Sequence, residues 1–190
     1  MNVFPYENRQ PKEVKGMKKA TLILFLALAA AWLGAQTEPV IRDGEHFAYV
    51  CLECRGSYAQ MPAKLSDLMQ EMAKQQLAAE GAPMGVYYHA LGQPASAEPA
   101  WEVAMVVAGN PEVQPPLVKK EFSCAKQAEM TSKGPYSALG SAYSKLLAFI
   151  DQNGYKPTGL AMETWYDDPA NTRPEDCRTL IVIPVEKKTP

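Results

Sequence analysis

An α+β fold built from one unit written twice is what this sequence predicts, and three observations predict it. Arg55-Gly56-Ser57-Tyr58 and Lys133-Gly134-Pro135-Tyr136 are alike, and each follows a strand-like run, over 46–55 and 121–132. Each then leads into a segment whose apolar residues recur at near-helical spacing: Leu65, Leu68, Met69, Met72 and Leu77 in the first, Leu139, Tyr143, Leu146, Leu147 and Ile150 in the second. Each segment ends on a helix stop, Glu80-Gly81 or Asn153-Gly154.

The later elements follow in the same order in both halves. Pro83-Met84-Gly85 enters a strand at 86–89, and Pro157-Thr158-Gly159 enters one at 160–163. A loop and a last strand close each half, over 101–107 and 178–185. The unit is strand–helix–strand–strand. Hairpins between its second and third strands imply antiparallel pairing. Two such units give an antiparallel sheet with two helices on one face. Both strand faces are apolar, so a ligand cleft is expected on the face opposite the helices.

Composition sets the broad class. A chain of 190 residues with 47% hydrophobic and 21% charged residues has the make-up of one ordinary globular domain. The domain is expected over 44–186, with a short linker at 36–43 and a tail at 187–190. The N-terminus reads differently. Met17-Lys18-Lys19 precedes an apolar run from Ala20 to Leu33, then Gly34-Ala35-Gln36. A charged start, an apolar middle and small residues at the end are the pattern of a secretory signal peptide. Residues 1–35 are assigned to it, with 1–16 as a possible start-site artefact; retention as an anchor is the alternative. Export to the periplasm or medium is therefore expected, with no stable membrane span once the signal is removed.

Beyond residue 35 the chain carries 14 Lys/Arg and 19 Asp/Glu, a net charge of −5. Nucleic-acid phosphates demand clustered basic residues, so nucleic acid is not an expected partner. The cysteines are Cys51, Cys54, Cys124 and Cys177. Cys51-x-x-Cys54 lies in a strand-like run, where residues three apart point to opposite faces. A bridge between them is not expected. Zinc would want a second such pair or nearby histidines, and the chain has only His46 and His89. No metal and no cofactor are expected.

Glu163 is the odd residue in Leu160-Ala161-Met162-Glu163-Thr164-Trp165. An unpaired carboxylate among apolar groups is costly. Alternation places Glu163 and Trp165 on one strand face, with Leu160, Met162 and Thr164 on the other. The repeat makes Tyr87 and His89 their partners in the first half. The same reasoning adds Trp101, Met105 and Tyr49 as possible cleft residues. A carboxylate among aromatic rings suits an organic cation, because ring faces attract positive charge.

The segments Gly134-Pro135-Tyr136, the helix to Asn153-Gly154, Gly159 before a strand, Glu163 two residues before an aromatic, Asp168-Pro169 and the closing Ile183-Pro184-Val185 together resemble the gyrase-inhibitor-like effector-binding domains of bacterial transcription regulators. The resemblance covers about 44–186. It implies a duplicated fold and a small organic molecule as partner, often lipophilic, cationic or planar aromatic, with Glu163 as the cleft carboxylate and Trp165 as its aromatic. Two departures stand out. The family usually carries Thr-Glu-Ile in its last strand, whereas here Thr179-Leu180-Ile181 stands, and a signal-like segment occupies the place of a DNA-binding region. A free-standing exported binder is the expected function. A hydrolase of strained or electrophilic molecules, with Glu163 as general base, and a tetrapyrrole-binding protein are the alternatives. Oligomeric state is left open.

Overall fold

The computed structural model describes residues 37–88 and 98–189. Among these residues, nine strands and two helices form an antiparallel α+β arrangement. The first half comprises β1 (Val40–Asp43), β2 (His46–Arg55), α1 (Met61–Lys74), β3 (Met84–Tyr87) and β4 (Ala100–Val106). The second comprises β5 (Val118–Ser123), β6 (Lys126–Lys133), α2 (Leu139–Gln152), β7 (Tyr155–Pro157), β8 (Ala161–Trp165) and β9 (Arg178–Lys187). The duplicated unit is thus β2–α1–β3–β4 and β6–α2–β8–β9.

Strand order is β1-β6-β9-β8-β3-β4-β2-β5, with β7 on the far end of β9. The two halves meet where β3 pairs with β8, Gly85 lying opposite Glu163. The repeat keeps a constant offset: Gly56 matches Gly134, Tyr58 matches Tyr136, and the helices begin at Met61 and Leu139. The ladders β2–β4 and β6–β9, and β3–β4 and β8–β9, keep the same offset. Gly85 is therefore the equivalent of Glu163, and Tyr87 the equivalent of Trp165. This corrects the expected pairing of Glu163 with His89, which came from aligning Gly85 with Gly159. His89 itself lies outside the described residues.

A glycine is needed where each half turns from strand to helix. Gly56 and Gly134 have φ of +83° and +132°, a region that costs other residues a clash. A short 3-10 turn follows, and in the first half the Ser57 hydroxyl accepts from the Ala59 amide at 3.2 Å. Helix α1 then packs on β2 and β4, and α2 on β6 and β7. Leu68 and Met72 anchor the first helix, and Leu146 and Ile150 the second. The first helix ends at Lys74, well before Glu80-Gly81. Gln76 takes a positive φ of 56°, and the Leu77 amide folds back onto the Met72 carbonyl.

The run expected as one strand over 121–132 is two, broken at Cys124-Ala125. The same break falls at Gly44-Glu45, between β1 and β2. There the Gly44 amide donates to Ala125 O and the Cys124 amide to Glu45 O. Register continues across both breaks, Asp43 facing Lys126 and His46 facing Ser123. These links are two residues long, yet β1 and β2 stand near opposite ends of the strand order. The sheet must therefore curl until its ends meet at this crossing. Residues 40–43, expected within a linker, belong to the sheet.

Curling gives the sheet an inner face with its own core of Tyr49, Cys51, Met84, Val86, Ala104, Phe122, Met162 and Val182. Cys51 faces this core, while Cys54 faces the core beneath α1. Opposite orientation keeps both thiols free, as are Cys124 and Cys177. Among the described residues no helix is long and apolar enough to cross a membrane. The expected signal segment lies outside them.

Candidate functional site

Each helix packs chiefly on the outer strands of its own half, leaving the central pair β3 and β8 less covered. A cavity of about 1330 Å³ opens there, between α1 and α2. It lies on the helix side of the sheet. The expected cleft on the opposite face is not where the space is, because curling fills that face with the inner core.

Glu163 forms the floor of this cavity and is 8% exposed. Three donors converge on its carboxyl group. Tyr87 Oη donates to Oε2 at 3.1 Å, Trp165 Nε1 donates to the same oxygen at 3.1 Å, and Tyr143 Oη donates to Oε1 at 3.0 Å. This answers how a lone carboxylate is tolerated in an apolar strand: its acceptors are satisfied from β3, β8 and α2. The Tyr87 and Tyr143 hydroxyls are both pushed far above the ordinary phenol range, first by burial and then by the negative charge of Glu163. Both remain donors across the physiological range.

Space for this cluster depends on Gly85, directly opposite Glu163. A methyl group there would come within 2.8 Å of Tyr87 Oη and 2.9 Å of Trp165 Cζ2. The repeat thus places nothing in one half so that a carboxylate and an indole can fit in the other.

The walls come from both helices and the turns before them. Tyr58, Met61, Leu65 and Met69 line one side, and Tyr136, Leu139 and Tyr143 the other. Tyr166, Asp167 and Asp168 line the far loop. Asp167 accepts from Arg178 Nε and Nη2, each at 2.9 Å, and from the Arg178 backbone amide at 2.8 Å. The hydrogen bonds from Arg178 hold its carboxyl below the usual carboxylate range. Asp168 accepts from the Ala170 amide at 2.8 Å, which shapes the loop. The lining residues include three carboxylates and no lysine, arginine or histidine.

Of the residues singled out from sequence, Glu163, Trp165, Tyr87 and Met105 line the cavity. Trp101 shares their strand face but stands behind Tyr58, ring centroids 5.8 Å apart, with Nε1 donating to Gly56 O at 3.0 Å. It is 1% exposed and supports the wall. Tyr49 is a correction. The β2–β4 register puts Val50, Leu52 and Cys54 on the face of Met105, Val103 and Trp101, so Tyr49 points to the inner face. There its hydroxyl donates to Glu102 Oε2 at 3.2 Å, beside Tyr88 and Lys120, which also donate to Glu102. Leu180, where the family's acidic residue is absent, also packs against the inner core. That departure leaves the cavity untouched.

Tyr143 is the residue that sequence reasoning missed. It was one of several apolar-stripe positions on the second helix, and its signal was a lone hydroxyl on that stripe. Tyr58 and Tyr136 were visible as the ends of the repeated turn, but nothing in their spacing showed that they line one shared cavity.

A fold of two strand–helix–strand–strand units around a helix-flanked cavity is that of a small-molecule-binding domain. The chain belongs to the family described as the GyrI-like small molecule binding domain, whose model matches residues 37–186. No curated protein sequence matches the chain. Among solved structures, the chain resembles the C-terminal domain of EcmrR, with a TM-score of 0.70 and 19% identity over 80% of this chain and 98% of that one. It also resembles EcmrR in its complex with DNA, with a TM-score of 0.69 and 18% identity over 89% of this chain. It spans only 65% of that EcmrR chain. A structure of SAV2435 bound to tetraphenylphosphonium aligns with a TM-score of 0.50 and 14% identity, over 79% of this chain and 94% of that one. At these identities the likeness concerns the fold.

Proposed function

We propose that this chain is an exported binder of amphipathic or cationic organic molecules, held in the cavity between α1 and α2 with the positive group toward Glu163. The observation that carries this reading is the charge of the lining: Glu163 is met only by neutral donors, Asp168 adds a second carboxylate, and no basic side chain stands among the described lining residues, Asp167 being neutralised by Arg178 behind it. Such a wall repels anions and attracts cations, and burial strengthens the attraction. Aromatic rings at Tyr58, Tyr87, Tyr136 and Trp165 offer faces to a cation, each contact contributing about 0.5–2 kcal/mol. Tetraphenylphosphonium, bound by the structural neighbour SAV2435, has this chemistry. Export rests on the sequence of residues 17–36 alone.

The test is calorimetric titration of a cationic and a neutral member of one ligand series. Glu163→Gln keeps the shape and removes the charge. It should weaken the cationic ligand by about 1–3 kcal/mol, the scale of a charge-assisted contact, and leave the neutral one nearly unchanged. Trp165→Ala should weaken both. Equal loss for both ligands in Glu163→Gln would overturn the electrostatic reading, and loss in neither variant would move the ligand elsewhere.

A further inference from the structure

We propose that the first-half wall of the cavity is a chain-binding subsite, so that the preferred ligand is a single-chain amphiphile: a cationic head near Glu163 and a flexible saturated tail along α1. This deepens the proposed function and rests on it.

The argument starts from the repeat. The two halves present equivalent positions to one cavity, so each difference between equivalents is a difference between its two sides. Met61 stands where Leu139 does, Leu65 where Tyr143 does, and Gly85 where Glu163 does. Every charged residue of the lining, Glu163, Asp167 and Asp168, lies in the second half. The first-half helix contributes only Met61, Pro62, Leu65 and Met69, and β4 adds Met105. Three of these five are methionines. Tyr58 and Tyr87 add two rings near the floor on the first-half side, but the helix wall beyond them is aliphatic, and all the carboxylates are on the other side.

Methionine and rigid aromatic rings make different walls. A thioether chain is unbranched and adapts to irregular or mobile apolar partners. It gives poor shape selection for a rigid ring system but good contact with an alkyl chain of varying path. Met69 adds a second indication. It is 47% exposed, about two turns along α1 from Met61, an apolar side chain left open on the cavity side of the helix. A tail leaving Glu163 along Met61 and Leu65 would reach it and cover it. The cavity of about 1330 Å³ also exceeds the roughly 300–1,000 Å³ typical of small-molecule pockets, leaving room for a tail beyond the head.

The experiment titrates the full-length protein with alkyltrimethylammonium ions from hexyl to dodecyl, each below its micelle concentration. Tetraphenylphosphonium serves as the rigid aromatic cation and the matching n-alkanols as neutral tails. The expected result is an affinity rising about fourfold per added methylene, the equivalent of ~0.8 kcal/mol for burying one CH₂. Met69→Ser should cap that rise at the longer chains only, because the shorter ones do not reach it. Met69 is half exposed, so the variant should fold. Met61→Ser, nearer the head, should cap it earlier.

Tight tetraphenylphosphonium binding with a flat response to chain length would overturn the chain subsite and leave the proposed function standing. A rise with chain length that neither methionine variant alters would also overturn it, by placing the tail elsewhere. If the alkanols follow the same slope at equal affinity, the tail subsite stands and the cationic preference fails. If no cation of either kind binds, both readings fall.

Discussion

Glu163 shows how a fold accommodates a buried carboxylate with no basic partner among the described residues. Three neutral donors from three elements take its place, and none brings a positive charge into the cavity. Removing one donor should be felt locally. Tyr143→Phe deletes one hydrogen bond and leaves an acceptor short, so unfolding in urea should report a loss of about 1–2 kcal/mol, and the same holds for Tyr87→Phe. The two losses should not add, because both hydroxyls act on one carboxyl group. Gly85→Ala tests the space rather than the bonds. Its methyl group would meet Tyr87 Oη and Trp165 within 3 Å, and overpacking of this kind costs about 1–3 kcal/mol. Indole fluorescence should shift with it. A pH effect belongs at this scale too. The hydrogen bonds from Arg178 lower the pKa of Asp167 in the folded state, so this pair stabilises the protein above the ordinary carboxylate value of about 4. The stabilisation is lost as pH falls through the lower, folded value. Acid titration of stability should be shallower in Asp167→Asn than in the wild type.

At the scale of elements, the duplication makes a sharper demand. Leu68 and Leu146 are equivalents, each fully buried under its own helix. Leu68→Ala and Leu146→Ala should each cost about 2–5 kcal/mol in chemical unfolding, and by similar amounts. This is also the scale at which the sequence was most readable. Helical spacing and the paired turns at Gly56 and Gly134 were enough to locate both helices and β2, because those signals are local. Alternation likewise put Glu163, Trp165 and Tyr87 on one face. What escaped was non-local. The break at Cys124-Ala125 exists only because another chain segment, Gly44-Glu45, crosses there. The phase of Tyr49 depended on its register with β4, which no single-strand pattern contains. The cavity's side of the sheet depended on curling, which fills the opposite face.

At the scale of the whole molecule, the cavity exists because two similar halves are placed about a central strand pair and have since diverged. The first half presents an aliphatic helix wall, and the second presents the carboxylates. Neither half could form the cavity by itself, since floor and walls come from both. Ligand binding should therefore raise the stability of the molecule as one unit. A saturating cationic ligand should move a single thermal transition upward, by an amount that grows with the logarithm of its concentration. Two transitions that respond separately would show that the halves melt independently.

The crossing at Gly44 and Cys124 has a consequence for how such a molecule can be taken apart. Strand β1 leaves the first half and pairs with β6 of the second, while β5 leaves the second and pairs with β2 of the first. Each half lends the other an arm. Cutting the connection near Gly109 would break no ladder, so two separate polypeptides would carry all the information for mutual recognition. The covalent link does no more than raise the effective concentration of one half around the other, to about the millimolar range typical of short linkers. An ancestor encoding a single half could have worked as a pair of identical chains clasping one another. Two identical chains would carry the same residue on both sides of such a cavity, so a glycine at 85 opposite a carboxylate at 163 is an arrangement that only two separately encoded halves can hold.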